Sequence, residues 1–146
     1  MIRYLFFVAV LTSLVCCKKD KPVPQTSEKA KWLTSQIWKY ADIIKNNEPF
    51  LKNCDLDDRF YYYEDGTYKG DNGSNLCDPN INTVLEGTWQ LLENDTKLYL
   101  TYKVYANYSV RPTANIEIIN PDTLKVNVDL PNLTGSDNYI ITYIHQ

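Results

Sequence analysis

Cys54 and Cys77 enclose the stretch of sequence that most constrains the fold, because an aromatic run and a turn signal lie between them. The aromatic run, residues 60–63, leads into Glu64-Asp65-Gly66, and residues 67–69 lead out again. An Asp-Gly turn between two such runs is typical of a β-hairpin. The sequence therefore predicts a hairpin whose base is closed by a disulfide between the two cysteines.

A reactive or metal-binding pair is the other interpretation of Cys54 and Cys77. The sequence contains no Cys-x-x-Cys motif, and it has a single histidine, so the usual partners of a metal-bound cysteine are not grouped around these two. Disulfides persist in oxidising compartments. If the chain is exported, a structural disulfide is therefore the favoured interpretation.

Further hairpin patterns follow along the chain. Strands are predicted over residues 38–45, 60–63, 67–69, 85–93, 97–105, 114–119, 123–130 and 139–145. Leu124, Val126 and Val128 alternate with polar residues, which is typical of a sheet with one wet face. About eight short antiparallel strands predict an all-β fold, either a sandwich or an up-and-down barrel. A barrel is favoured because its closure removes exposed sheet edges.

The N-terminus is predicted to be a signal peptide, residues 1–16. Arg3 is its one charged side chain, and the twelve-residue apolar stretch 4–15 follows. That stretch is shorter than the roughly 20 helical residues that span a bilayer, but it matches the apolar region of a secretory signal. A buried N-terminal helix is the alternative.

The end of the apolar stretch resembles the lipobox of bacterial lipoproteins, in the residues Leu14-Val15-Cys16-Cys17. This resemblance implies that Cys17 is the acylated first residue of the mature protein and that acyl chains hold it on a membrane. Cys16 is the acylated residue in the alternative frame. In this resemblance, Lys18 directly after Cys17 implies retention in the outer membrane, either on its periplasmic face or at the cell surface. Residues 17–26 are polar with two prolines and predict a tether, and residues 27–146 form the predicted domain, opened by a short helix capped by Thr26 or Ser27.

The charge balance of the predicted domain argues against nucleic-acid binding. Arg3, Lys18, Lys19 and Lys21 account for four of the 15 basic residues, and Asp20 accounts for one of the 18 acidic residues. Residues 27–146 therefore carry 11 basic and 17 acidic side chains, a net charge of about −6. Such a surface binds a phosphate backbone poorly.

An ordered series of short motifs resembles the lipocalin-like domains of Bacteroidetes lipoproteins over residues 30–145. The series consists of Trp38, Cys54 before Asp55, Asp57 and Asp58, then Phe60, Asp65-Gly66-Thr67, Cys77, Gly87-Thr88-Trp89, Leu98-Tyr99-Leu100 and the late strand Asp122–Val126. The resemblance implies a small up-and-down β-barrel of about eight strands. It also implies a lipid-anchored, non-enzymatic protein that binds a small apolar or amphiphilic ligand.

Candidate ligand contacts come from the aromatic residues of the strands. Tyr40, Tyr62 and Tyr102, with Trp38 and Trp89, are the residues that we expect to face such a ligand, since aromatic rings stack on sugars and apolar groups. The alternative is ordinary strand composition for the tyrosines and barrel-closing core for the two tryptophans.

No metal, cofactor or catalytic group is predicted. The acidic residues Asp55, Asp57, Asp58, Asp65, Asp71 and Asp78 lack the order of a calcium-binding loop. His145 is the single histidine, and no nucleophile-elbow motif accompanies it. The alternative function is a protein-interaction, accessory or inhibitor module at the outer membrane or the cell surface, with residues 72–83 and 107–114 as contact loops.

Overall fold

The computed structural model describes residues 26–146. The predicted signal peptide, the predicted acylation site Cys17 and nearly all of the predicted tether lie outside the described residues. Within the described part of the chain, no helix is both long enough and apolar enough to cross a membrane.

The first element is helix α1, Glu28–Thr34. Ser27 caps it, as the sequence predicts, because its side chain accepts a hydrogen bond from the Ala30 N–H at 3.1 Å. Ala30 and Leu33 are buried on its inner face. The Trp38 indole N–H donates to the Leu33 carbonyl at 2.9 Å, and Lys29 Nζ donates to the Asp95 carbonyl at 3.0 Å. The helix is thereby fixed across one end of the sheet.

Ten strands follow, connected mostly by tight turns. They are β1 Ile37–Lys45, β2 Glu48–Pro49, β3 Arg59–Tyr62, β4 Thr67–Asp71, β5 Val84–Leu92, β6 Lys97–Tyr105, β7 Tyr108–Val110, β8 Thr113–Ile119, β9 Thr123–Asn132 and β10 Gly135–His145. Strands β2 and β7 are short additions to β1 and β6 that the sequence patterns do not predict. The remaining eight strands correspond to the eight predicted ones.

The eight long strands form a closed antiparallel barrel. Their order is β1, β3, β4, β5, β6, β8, β9, β10, and β10 pairs back onto β1. The closing ladder runs from Trp38 opposite His145 to Lys45 opposite Tyr139. The prediction of an all-β up-and-down barrel with a short N-terminal helix is confirmed.

The register gives the barrel two different ends. At the closed end lie α1 and the turns at residues 63–66, 93–96 and 120–122. At the open end lie the turns at 46–47, 106–107 and 133–134 and two longer loops, 50–58 and 72–83.

The core is packed most tightly near the closed end. Trp38, Trp89, Leu33 and Leu124 are the largest fully buried side chains, and Leu91 and Leu98 lie beside them. The predicted alternation of β9 is confirmed, since Leu124, Val126 and Val128 are all buried. An eight-stranded barrel is just wide enough to be filled in this way.

Candidate ligand cavity at the open end of the barrel

Above this packed layer the barrel interior is not filled. A cavity of about 410 Å³ opens there, lined mainly by aromatic and aliphatic side chains. Its lining comprises Tyr40, Ile43, Phe50, Asp55, Phe60, Tyr62, Tyr68, Asn72, Ile81, Leu85, Leu98, Leu100, Tyr102, Pro112, Ala114, Val126, Val128, Leu130, Tyr139, Ile141 and Tyr143. This volume is within the range of small-molecule sites.

Tyrosine and phenylalanine rings form two clusters in the cavity wall. The Tyr40 ring lies 4.7 Å from the Phe60 ring and 5.2 Å from the Tyr143 ring, measured between centroids. Across the barrel, the Tyr68 ring lies 5.3 Å from Tyr62 and 5.6 Å from Tyr102. These separations are typical of favourable aromatic pairs, so the wall is stiff on its own.

The phenol groups give this wall hydrogen-bonding capacity. Burial, the largest cause, raises the pKa of Tyr40, Tyr62 and Tyr68 well above the usual value for tyrosine, so these side chains stay neutral. Among the described residues, none forms a hydrogen bond with the hydroxyls of Tyr62, Tyr68 or Tyr102. A bound molecule can therefore use these hydroxyls as donors or acceptors.

Strand alternation accounts for the inward direction of these rings. Tyr68 and Gly70 are both buried on β4, and the intervening Lys69 is directed outward to Asp71, with its Nζ 3.2 Å from the carboxylate. Gly70 leaves room for the Tyr68 ring, because a Cβ at Gly70 would lie 3.0 Å from the Tyr68 hydroxyl oxygen. The sequence of β4 thus provides both a ring and the space for it.

The Cys54–Cys77 disulfide lies at the mouth of the cavity. It joins the loops 50–58 and 72–83, with the two Cα atoms 5.3 Å apart. The predicted pairing is present in the structure. A smaller cavity of about 230 Å³ lies against the disulfide and shares Tyr40, Asp55, Asn72, Ile81, Leu85 and Tyr102 with the main cavity. The two loops therefore form a vestibule to the barrel interior.

Asp57 connects the same two loops a second time. Its carboxylate accepts hydrogen bonds from the Ser74 N–H at 2.8 Å, the Ser74 hydroxyl at 3.2 Å and the Asn75 N–H at 3.2 Å. Gly73, with φ of +61°, allows the chain to turn over this carboxylate, where a Cβ would overlap it. The Ser74 backbone bond is the main reason that the pKa of Asp57 is lowered.

Asp58 is the one buried charged residue of the described part of the chain, with 8% of its surface exposed. It lines the vestibule, and no described residue forms a hydrogen bond with its carboxylate. Burial, followed by the charges of Asp55 and Asp57, raises the pKa of Asp58 to about 7. The neighbouring Arg59 opposes this rise, but its guanidinium donates to the Asp58 and Leu56 carbonyls and to Gln146 instead.

The raised pKa of Asp58 predicts that stability decreases between pH 4 and pH 7. Above about pH 4 the unfolded chain loses a proton that the folded chain keeps until about pH 7, so the free energy of unfolding falls through this interval and is level above it. The shift corresponds to at most about 4 kcal/mol, and water in the open vestibule reduces this to about 2 kcal/mol.

Urea unfolding at pH 5 and pH 8 tests this prediction. Asp58→Asn should remove most of the decrease and should be more stable than the parent at pH 8. Asp42→Asn, an exposed aspartate on β1, is the control and should leave the decrease unchanged. An equal decrease in the parent and in Asp58→Asn would show that another group causes it.

The candidate ligand contacts fall into two groups. Tyr40, Tyr62 and Tyr102 line the cavity, whereas Trp38 and Trp89 lie in the packed layer below it. The Trp89 indole N–H donates to the Tyr63 carbonyl at 2.9 Å, so this ring is fixed by the backbone of the closed end. The positions of the two tryptophans correspond to the alternative interpretation, the core that closes the barrel.

Several functional positions have no signal in the sequence. Tyr68, Tyr139 and Tyr143 line the cavity with the same inward direction as the predicted tyrosines, and strand periodicity would find them once the register was known. Asp58 is one of six acidic residues that look alike in the sequence, and its burial comes from the loops that fold over it. Local sequence therefore does not distinguish it.

The acidic residues singled out in the sequence are divided between the two ends of the barrel. Asp65 lies in a closed-end turn, where its carboxylate accepts from the Thr67 N–H at 2.9 Å. Among residues 26–146, the one group with metal-ligand spacing is Cys54, Asp55 and Cys77, and its two sulfurs are bonded to each other. A sulfur in a disulfide is not a thiolate ligand.

A surface cleft lies on the barrel wall beside β7. Strand β6 pairs with β8 only over residues 97–99, because β7 occupies the rest of its edge. The cleft, of about 790 Å³, follows between β7 and the end of β9, and it shares Tyr102, Pro112 and Leu130 with the main cavity. The cleft and the main cavity therefore lie on the two sides of the same three residues.

No family model matches the chain, and no curated protein matches it.

Proposed function

We propose that this protein is an exported, lipid-anchored lipocalin-like barrel that binds a small apolar or amphiphilic ligand without catalysing a reaction. One observation carries the proposal. A barrel of eight strands can be filled by its own side chains, yet this one keeps about 410 Å³ of largely apolar space next to a closed, packed end. Such a space, with a few convergent polar groups, is typical of a binding site.

The residues around the cavity support binding more than catalysis. His145, the single histidine, lies at the closed end, where its Nε2 is 3.5 Å from Asp122. The cavity lining holds tyrosine hydroxyls, an asparagine and an aspartate on an apolar wall. These groups orient a ligand by hydrogen bonds and burial.

A substitution that fills the cavity tests the proposal. Leu100 lines the cavity, so Leu100→Trp should occupy space that the ligand needs and weaken binding by about tenfold or more. Ile118→Trp, which adds the same ring at an exposed position of β8 that is 43% accessible, should leave affinity unchanged. Titration calorimetry with dodecanol on both variants, after circular dichroism confirms folding, gives the comparison.

Solvent extraction of the protein purified from its native membrane gives an independent test. A ligand carrier should release a small molecule in stoichiometric amount, which mass spectrometry identifies. If extraction yields nothing, and if dodecanol binds the parent and Leu100→Trp equally or binds neither, the proposed function is wrong.

The proposal places the anchor at Cys17 and the protein at the outer membrane. The Cys54–Cys77 disulfide supports an oxidising location outside the cytoplasm. Palmitate labelling of cells that express the parent and Cys17→Ser tests the anchor. Label on the parent alone is the expected result, and label that persists in Cys17→Ser but disappears in Cys16→Ser would assign acylation to the other cysteine.

A second candidate function, a protein-interaction module, is favoured by the rim of the open end. Leu56, Tyr105, Tyr108 and Leu133 are all exposed there, and they come from three different connections. Exposed apolar groups gathered at one end suit a protein contact. A stoichiometric partner that is recovered from detergent-solubilised membranes by the parent, and lost with Tyr108→Ser, would favour this function.

A further inference from the structure

We propose that the vestibule around Asp58 binds the protonated amine of an amphiphile whose apolar part occupies the barrel interior. This inference rests on the proposed function and assigns the chemical class of the ligand.

The vestibule has a surplus of negative charge. Asp55, Asp58 and Asp78 line it, and no lysine, arginine or histidine is among the residues that line the vestibule or the main cavity. A carboxylate or phosphate head group would therefore meet three acidic residues and no cation. A cationic head group would be attracted by the same three acidic residues.

Asp58 accepts no hydrogen bond from the described part of the chain, so its carboxylate is available to a ligand. More than nine-tenths of its surface is buried, its carboxylate has no hydrogen bond from a described residue, and it lines the vestibule beside Tyr40. A carboxylate that is largely shielded from water and has no hydrogen-bond donor is unfavourable. This unfavourable burial raises the pKa of Asp58. Among the described residues, the one fully enclosed side-chain oxygen without a partner is Asp57 Oδ1, so the Asp58 oxygens keep access to the vestibule. An ammonium group in the vestibule would stabilise the ionised carboxylate and offset the effect of burial.

Asp55 and Asp78 are partly occupied by the loops. Asp55 accepts from the Lys52 N–H at 2.8 Å, and Asp78 accepts from the Asn80 N–H at 2.9 Å and from the Tyr105 hydroxyl at 3.2 Å. Their charges still contribute to the field, but each of the two carboxylates already accepts at least one hydrogen bond. Asp58 is therefore the residue that we expect to contact the amine directly.

The cations nearest to the cavity lie outside its lining. Lys45 forms an ion pair of 2.9 Å with Asp137, and Lys52 lies over the outer part of the Phe50 ring at 4.8 Å from its centroid. Arg111 belongs to the side cleft. These three residues are where an anionic head group would bind if the ligand had the opposite charge.

Three ligands with the same chain and different head groups test the assignment. Dodecylamine, dodecanol and dodecanoate are titrated into the folded domain by calorimetry, below their aggregation concentrations, at pH 8, where the amine is protonated and Asp58 is ionised. We expect dodecylamine to bind about tenfold more tightly than dodecanol, and dodecanoate to bind most weakly, since a hydrogen bond to a buried charge contributes a factor of this size.

Two matched variants distinguish a direct contact with Asp58 from the effect of the protein's net negative charge. Asp58→Asn should bind dodecylamine and dodecanol equally well and should fold, because it removes a buried charge. Asp42→Asn removes the same charge from the exposed surface of β1 and should keep the parent's preference. Lys45→Gln and Arg111→Gln should leave all three affinities within about twofold.

The outcomes distinguish this inference from the function on which it rests. If dodecylamine and dodecanol bind the parent equally, if dodecanoate binds best, or if Asp58→Asn keeps the preference, the amine assignment is wrong while the cavity remains a binding site. If none of the three binds the parent, the proposed function fails together with the inference.

Discussion

Gly87→Ala is expected to unfold the domain or to lower its free energy of unfolding by about 4 kcal/mol or more. Gly87 lies on β5 opposite Tyr102 of β6, where the two strands approach closely. A Cβ at this position would overlap the Thr101 carbonyl oxygen and would lie 2.9 Å from the Tyr102 Cα. Both atoms belong to the backbone, so the strands themselves would have to separate.

Gly70→Ala is the matched control for this prediction. Gly70 also lies on an inward-facing strand position, but a Cβ there would meet side chains, the Tyr68 hydroxyl at 3.0 Å and the Leu85 Cβ at 3.3 Å. Side chains can adjust, and a cost of about 1–2 kcal/mol is expected. Urea unfolding followed by near-UV circular dichroism measures both variants. A stable Gly87→Ala with native circular dichroism would show that β5 and β6 can separate without loss of the barrel.

The sequence predicts the parts of the barrel in which local chemistry and tertiary structure agree. Gly66 has φ of +82°, and the Asp65 carboxylate accepts from the Thr67 N–H, so the Asp-Gly signal and the observed turn have the same cause. The alternation of β9 gives its inner face directly. In this turn and in β9, the local sequence is sufficient to predict the backbone conformation and the buried face.

The elements that the sequence does not predict depend on their neighbours. Strand β10 begins at Gly135, although Ser136, Asp137 and Asn138 show no alternation, because β9 offers a complete ladder of partners. Strand β7 is only three residues long, Tyr108–Val110, and it exists because the edge of β6 is free there. No local pattern reports such pairing.

The candidate site shows the same division. Periodicity directs Trp38 and Tyr40 to the same inner face of the barrel, and it contains no information on height along the barrel axis. The closing helix decides which residue becomes core, because Trp38 donates to its Leu33 carbonyl and Tyr40 remains above in the cavity. Asp58 likewise obtains its burial from loops that the disulfide, Asp57 and the hydrogen bond from Asn75 to the Asn53 carbonyl bring together.

Removal of the disulfide is therefore expected to affect both stability and the environment of Asp58. In the chain-entropy description, loss of a link across a sequence separation of 23 residues lowers the free energy of unfolding by about 3 kcal/mol. The double variant Cys54→Ser with Cys77→Ser should show this decrease in urea unfolding at pH 8, and the parent with dithiothreitol should give the same midpoint. An unchanged midpoint in both would show that the Asp57 contacts alone hold the loops.

The pH dependence of the double variant identifies what the disulfide does at the mouth. Without it, the loops 50–58 and 72–83 are held by Asp57 and its partners at Ser74 and Asn75, and water gains access to Asp58. Since burial is the main cause of the raised pKa of Asp58, this pKa should fall toward the ordinary value for aspartate. The loss of stability between pH 5 and pH 8 should then shrink to less than about half of the parent's roughly 2 kcal/mol. A loss as large as the parent's would mean that the barrel rim, rather than the disulfide-linked loops, keeps Asp58 from water.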